Sequence, residues 1–180
     1  MKLLIASDIH GSAYYCDLLM KQIEKQNPDK IVLLGDHLYH GPRNDLPKDY
    51  DPKQVLAMLN SVKDKVIAVR GNCDSEVDQM VLQFPTMADH CVIEVDDKTI
   101  YASHGHIYNQ DNPVPHMKGI LLCGHSHIPA CIEYDNITYI NPGSVSIPKD
   151  NSKHSYMIYE DSVFKWIDLE IEEVYKEFKS

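Results

Sequence analysis

Five short clusters in this chain combine residue types that bind cations: Asp8-Ile9-His10, Gly35-Asp36, Gly71-Asn72, Ser103-His104-Gly105-His106 and Gly124-His125-Ser126-His127. Together they offer two carboxylates, one amide and several imidazoles, with no thiolate cluster. Oxygen and nitrogen donors of this kind suit manganese, iron, cobalt or zinc, and do not suggest a cysteine-rich structural zinc site. Alone, an Asp-x-His or His-x-His is usually a polar loop, and Gly-Asp or Gly-Asn a turn. Their shared placement along the chain gives them weight.

Each cluster begins where a predicted strand stops. Lys2–Ser7 is an apolar run of strand length, followed by Tyr15, Leu18, Leu19 and Ile23 at helical spacing and by the breaker Asn27-Pro28. Lys30–Leu34 predicts a second strand, and Asp51-Pro52 an N-cap with proline at the first helical position, ahead of Val55, Leu59 and Val62. Lys65–Val69 reads as a third strand. Beyond about residue 90 the pattern changes to short strands joined by tight turns. Cys91–Val95 and Thr99–Ser103 flank Asp96-Asp97; Ala130–Tyr134 and Ile137–Ile140 flank Asp135-Asn136. Ile120–Cys123, Ser155–Tyr159 and a last strand from Val163 to Ile171 complete the strand-rich half.

Neither a repeat nor a linker divides the chain, so the expectation is one α/β domain over residues 1–180, with two packed sheets and helices outside. In such folds ligands collect at the carboxyl ends of strands, where five clusters can converge. In an extended segment, residues i and i+2 project to one side, so Asp8 with His10, and His125 with His127, are each expected to address one centre.

At 180 residues the core needs no metal to hold it, which makes any metal more apt for catalysis than for structure. A net charge of -10 argues against an extended nucleic-acid footprint and for a small or short partner. Five cysteines without a C-x-x-C pair read as reduced thiols. With an early charge at the N-terminus and no long apolar run, the expectation is a cytoplasmic protein away from membranes.

In this order, D-x-H, G-D, G-N, H-G-H and G-H-x-H resemble the calcineurin-like metallophosphoesterase superfamily, over residues 1 to about 150. Tyr39–Asn44 and Gly71–Asp78 are similar to its small bacterial YfcE-type phosphodiesterases. The resemblance implies a four-layer α/β/β/α sandwich with two packed mixed sheets. It also implies one metal on Asp8, His10 and His127, a second on Asn72, His104 and His125, and Asp36 bridging both, so that Asp36, Asn72 and His104 are the catalytic core of the set. The ions implied are two per chain, manganese foremost, with zinc, iron, cobalt or nickel as alternatives. Two divalent ions facing two aspartates leave a cationic centre that attracts phosphate. Ions roughly 3.5 to 4 Å apart can share an activated water for in-line displacement. The implied reaction is hydrolysis of a small phosphodiester by metal-bound hydroxide.

Arg43, on the long connection after Asp36, is a candidate phosphate clamp, against the alternative of a solvated loop arginine. His40 and Asn44 are further substrate-binding candidates, as are His106 and Cys73, while His37 reads as a satisfied loop histidine. Asp74 and His106 are candidates for holding the ligands in place. Asn141-Pro142-Gly143-Ser144 fits a type II turn supporting the centre. Cys73 departs from the superfamily, in which a histidine often follows the metal-binding asparagine. Two other functions stand beside the diesterase: a phosphomonoesterase or protein phosphatase with the same centre, and a non-catalytic scaffold such as the retromer subunit of this fold, whose metal site has lost ligands. Phe164 and Trp166 alternate along the last strand and suggest core or interface packing, and the aromatic, apolar run from Val163 to Ile171 suggests a homo-oligomer.

Overall fold

Three apolar runs form the parallel part of the first sheet in the computed structural model, which describes residues 1–180. They are β1 (Leu3–Ala6), β2 (Lys30–Leu33) and β3 (Val66–Ala68), separated by α1 (Ala13–Gln26) and α2 (Pro52–Ser61). Leu3, Leu4, Ile5 and Ala6 are wholly buried because both faces of this sheet are covered, and so the run lacks alternation. Ser12 caps α1 by accepting from the Tyr15 N–H, and Asp51 caps α2, with Pro52 in its first turn. After β3 comes a short helix, α3 (Glu76–Val81), which the apolar pattern does not announce. The Ser75-x-x-Asp78 capping box that starts it was the available signal.

The second half supplies β4 (His90–Val95), β5 (Lys98–Ser103), β6 (Gly119–Leu122), β7 (Ala130–Glu133) and β8 (Ile137–Asn141), in sheet order β4-β5-β6-β8-β7. The hairpin between β4 and β5 turns at Asp96 and Asp97, both with positive φ, as a two-residue type I′ turn demands. The chain then returns to the first sheet through β9 (Ser155–Glu160), β10 (Val163–Asp168) and β11 (Val174–Lys179), giving the order β11-β10-β9-β1-β2-β3. Both sheets mix parallel and antiparallel pairs.

The expected single strand over Val163–Ile171 is in fact two. It ends at Asp168, whose carboxylate accepts from the Glu170 and Ile171 N–H groups and turns the chain back. Consequently β10 is interior: Phe164 and Trp166 are fully buried and β11 covers the edge. The aromatic surface that suggested an oligomer is core.

Leu3, Ile5, Val32 and Leu34 from the first sheet meet Ile100, Ile120, Leu122 and Ile140 from the second in the core between the sheets. A second core joins α1 and α2 to the outer face of the first sheet. The outer face of the second sheet is covered by the connection between β5 and β6, through Val114 and Met117, in place of a long helix. Each fully buried Leu or Ile contributes about 1.5–3 kcal/mol over its exposed state. Two layers of such contacts hold the parallel strands β1–β2–β3 and β5–β6–β8 with their carboxyl ends toward one rim, and every cluster named above leaves a strand there.

Candidate metal centre

Asp8 follows β1, Asp36 follows β2, Asn72 follows β3, His104 follows β5, and His125 and His127 follow β6. The backbone at this rim is not extended as expected. Asp8, His10, Asp36, His125 and His127 all have positive φ, a left-handed conformation that aspartate and histidine tolerate better than most residues but at a cost. Long-range bonds hold it: Asp8 N–H donates to Gly35 O, His10 N–H to Asp36 O and Gly11 N–H to His37 O. The two-residue spacing thus converges by a different geometry from the one the sequence implied.

Three histidines are oriented the same way. Through Nδ1, His10 donates to the Tyr39 carbonyl at 2.8 Å, His104 to Leu34 at 2.6 Å and His127 to Ile147 at 2.5 Å. In the neutral ring that leaves each Nε2 as a bare lone pair. His10 Nε2 and His127 Nε2 then face each other at 3.3 Å, with Asp8 Oδ1 at 3.6 and 3.3 Å. Asp8 Oδ1 is buried and has no hydrogen-bond partner, an arrangement that invites a cation. Asp8 Oδ2, by contrast, accepts from Ser7 Oγ and the His125 N–H.

Asp36 sits between two groups of donors. Its Oδ2 lies 3.6 Å from His10 Nε2 and 3.4 Å from His104 Nε2, while His104 Nε2 is 3.0 Å from Asn72 Oδ1. Its Oδ1 accepts from the Cys73 N–H at 2.8 Å. His125 completes the neighbourhood, its ring centroid 5.0 Å from that of His104.

The electrostatics fit a cation. Burial alone would raise Asp8, yet the close imidazoles of His10 and His127 and the nearby His104 hold its carboxyl well below the usual range. Burial would lower His104, but Asp36 and Asp8 push it up to about 9. Burial, followed by the proximity of His104, keeps His125 low, as suits a neutral ligand. The donor set therefore fits divalent metal, which would take the place of the proton that His104 otherwise holds beside Asp36.

Asp74 anchors Asp36. Its carboxylate accepts from the N–H groups of Asp36, His37 and Gly71 at 2.9, 2.9 and 2.7 Å. His37 lies in a loop but is not the satisfied histidine expected, since neither ring nitrogen makes a hydrogen bond. It is fully buried, with Nδ1 3.0 Å from Asp74 Oδ2 in a contact too bent for a full hydrogen bond. Burial works against ionising Asp74, but His37 and these N–H groups outweigh it and lower its pKa. Ser144 Oγ donates to Asp8 O, and Asn141 Nδ2 to Gly124 O, so the Asn141–Ser144 segment does support the centre, with Gly143 at positive φ.

Gly71 makes the close approach possible, because a Cβ there would overlap both Oδ1 and the backbone nitrogen of Asp36. Gly71→Ala is expected to cost about 1–3 kcal/mol of stability and to lower metal occupancy. Denaturant unfolding and elemental analysis check this; wild-type values in both would contradict the packing argument.

Next to the ligands opens a cleft of about 1140 Å³. Arg43, Asn44 and Cys73 line it, as expected of substrate-side residues, together with Tyr39, Ser126 and Lys149. His40 and His106 do not. His40 packs edge-on against Tyr39 and Tyr50, and His106 edge-on against His104, its ring centroid 5.3 Å from that of His104 and 6.2 Å from that of His125. Nothing in the sequence marked Lys149, which stands in no motif.

Residues 1–162 match the Calcineurin-like phosphoesterase superfamily domain. The chain belongs to that superfamily. As a superfamily member it is a metallophosphoesterase, and its relatives agree. Phosphodiesterase YfcE of Escherichia coli (strain K12) is 43% identical over 170 residues, 94% of this chain and 92% of that protein. The solved structure of YfcE, described as a phosphoesterase from E. coli, superposes with a TM-score of 0.95 at 40% identity, covering 99% of each chain. Vps29 of Entamoeba histolytica, solved with zinc, shares the fold at a TM-score of 0.65 and 17% identity, over 99% of this chain and 98% of its own. All five cysteines of the superfamily member are free thiols. No helix is long and apolar enough to cross a membrane.

Proposed function

We propose that this metallophosphoesterase hydrolyses a small phosphodiester at a centre of two divalent ions, one held by Asp8, His10 and His127, the other by Asn72, His104 and His125, with Asp36 shared. The observation that carries this reading is Asp36 Oδ2, lying within 3.6 Å of a bare Nε2 in each group. The likeness to a relative named a phosphodiesterase supports a diester over a monoester.

When bound, such ions supply Lewis-acid stabilisation of phosphoryl oxygens and activation of water at neutral pH. The chain's own residues set the stage for that. The carbonyls of Tyr39, Leu34 and Ile147 fix the histidine tautomers, and Asp74 fixes the backbone of Asp36. Arg43, with its planar fork of donors, faces the cleft where a phosphate would dock. His106 packs against His104 and limits its rotation.

One reconstitution experiment tests the proposal. Chelation is expected to abolish hydrolysis of bis(p-nitrophenyl) phosphate. Manganese should restore it with two ions per chain, and magnesium should fail because imidazoles outnumber the oxygen ligands. No more than one manganese per chain, equal rescue by magnesium, or faster turnover of p-nitrophenyl phosphate would each overturn part of the reading.

A further inference from the structure

The cleft carries two cations on different loops. Arg43 lies in the Gly41–Asn44 turn, which packs against Cys73, the residue after Asn72: a Cβ on Gly41 would meet Cys73 Sγ at 3.0 Å. Lys149 lies beyond β8 on the side of the first group, its N–H donating to the carbonyl of His127 at 3.3 Å. Both side chains are exposed. Neither forms an ion pair, so both are free to meet an anion in the cleft.

Nor does the cleft wall supply acidic partners. Of its three aspartates, Asp36 belongs to the centre, Asp74 accepts three backbone N–H groups, and Asp78 is engaged in the capping box of α3. Arg43 and Lys149 are thus the two cationic side chains of the cleft wall, and neither is neutralised by a direct carboxylate contact. A phosphodiester brings a single negative charge at its scissile group, which the centre and Arg43 already receive. Lys149 stands to the other side, where one arm of the ester must run.

Resting on the phosphodiesterase reading, we infer that the substrate carries a second phosphate on one arm and that Lys149 receives it. An ammonium is a compact charge that serves a terminal phosphate without fixed orientation, while the guanidinium suits the planar demands of the scissile group.

The test compares two esters with the same leaving group: the p-nitrophenyl ester of thymidine 5′-phosphate, and the same ester phosphorylated at the 3′-oxygen. With the manganese-loaded enzyme, kcat/KM is expected to be about tenfold higher for the second, the size of one charge-assisted hydrogen bond. In Lys149→Met that ratio falls to about one, and in Lys149→Arg it is largely kept. A wild-type ratio of one, or a ratio that Lys149→Met leaves unchanged, overturns the assignment. If neither ester turns over, the diesterase reading fails, and Lys149 is judged by calorimetry with thymidine 5′-phosphate and thymidine 3′,5′-bisphosphate. Tighter binding of the bisphosphate that is lost in Lys149→Met upholds it, and equal Kd values for the two in the wild type overturn it.

Discussion

Asp36→Asn loses at least about 10³-fold in kcat/KM, the scale of removing a central electrostatic group, whereas Arg43→Ala loses about 10- to 100-fold. The difference follows from where the two side chains stand. In Asp36→Asn the shape is kept: Oδ1 can still accept from the Cys73 N–H, and the backbone still donates to Asp74. The amide nitrogen, however, takes the place of Oδ2, 3.6 Å from His10 Nε2 and 3.4 Å from His104 Nε2. A nitrogen with two protons and no available lone pair cannot be shared between ions, and one negative charge is gone from the site that, on the proposed reading, holds two divalent ions. Arg43, exposed at the cleft, touches none of the ligands, so its loss weakens substrate contact and spares the centre. Steady-state kinetics with elemental analysis of both variants distinguishes the cases. Metal content should fall in Asp36→Asn and hold in Arg43→Ala; the opposite order of damage would show that Asp36 is not the shared ligand.

The features legible in the sequence were those whose causes are local. Asp51-Pro52 announces the start of α2 because both a carboxylate cap and a missing N–H belong at that spot. Asp96-Asp97 announces a hairpin between two alternating runs. The convergence of the five clusters was legible because a metal-binding residue at a strand end, with glycine beside it in four of them, is a pattern of adjacent positions. What stayed hidden depends on distant partners. The left-handed backbone at Asp8 and His10 is imposed by pairing with Gly35, Asp36 and His37, nearly thirty residues away. His37 looked like a satisfied loop histidine because nothing near it in the chain reveals Asp74 as its neighbour. Val163–Ile171 read as one strand because its apolar residues continue past Asp168, whose side chain turns the backbone. Lys149 has no motif at all, and only the fold brings it to the cleft.

Cys73→His is expected to raise kcat by on the order of 10² on diesters whose leaving group needs a proton, while Cys73→Ala keeps most activity on those with good leaving groups. Cys73 lines the cleft half-buried, with Asn72 Nδ2 3.2 Å from its sulfur, and its Sγ lies within 4.8 Å of the ligand atoms of His10 and Asp36. Burial first, and then Asp36, push the thiol up to about 12 in the metal-free chain, so it offers neither a ready nucleophile nor an acid of useful strength. A thiol is also a weak hydrogen-bond donor and carries no charge to place on a departing alkoxide. An imidazole at the same position extends into open cleft, beside carboxylates that favour its protonated form, and can deliver a proton to the leaving oxygen. His106 packs edge-on against His104 and is not among the residues that line the cleft. The gain should therefore grow as the leaving group becomes more basic, flattening the dependence of log kcat on leaving-group pKa. Loss of activity in Cys73→Ala with both ions still bound would give the thiol a direct part in the reaction, and a Cys73→His variant without gain on any leaving group would mean that proton delivery does not limit turnover here.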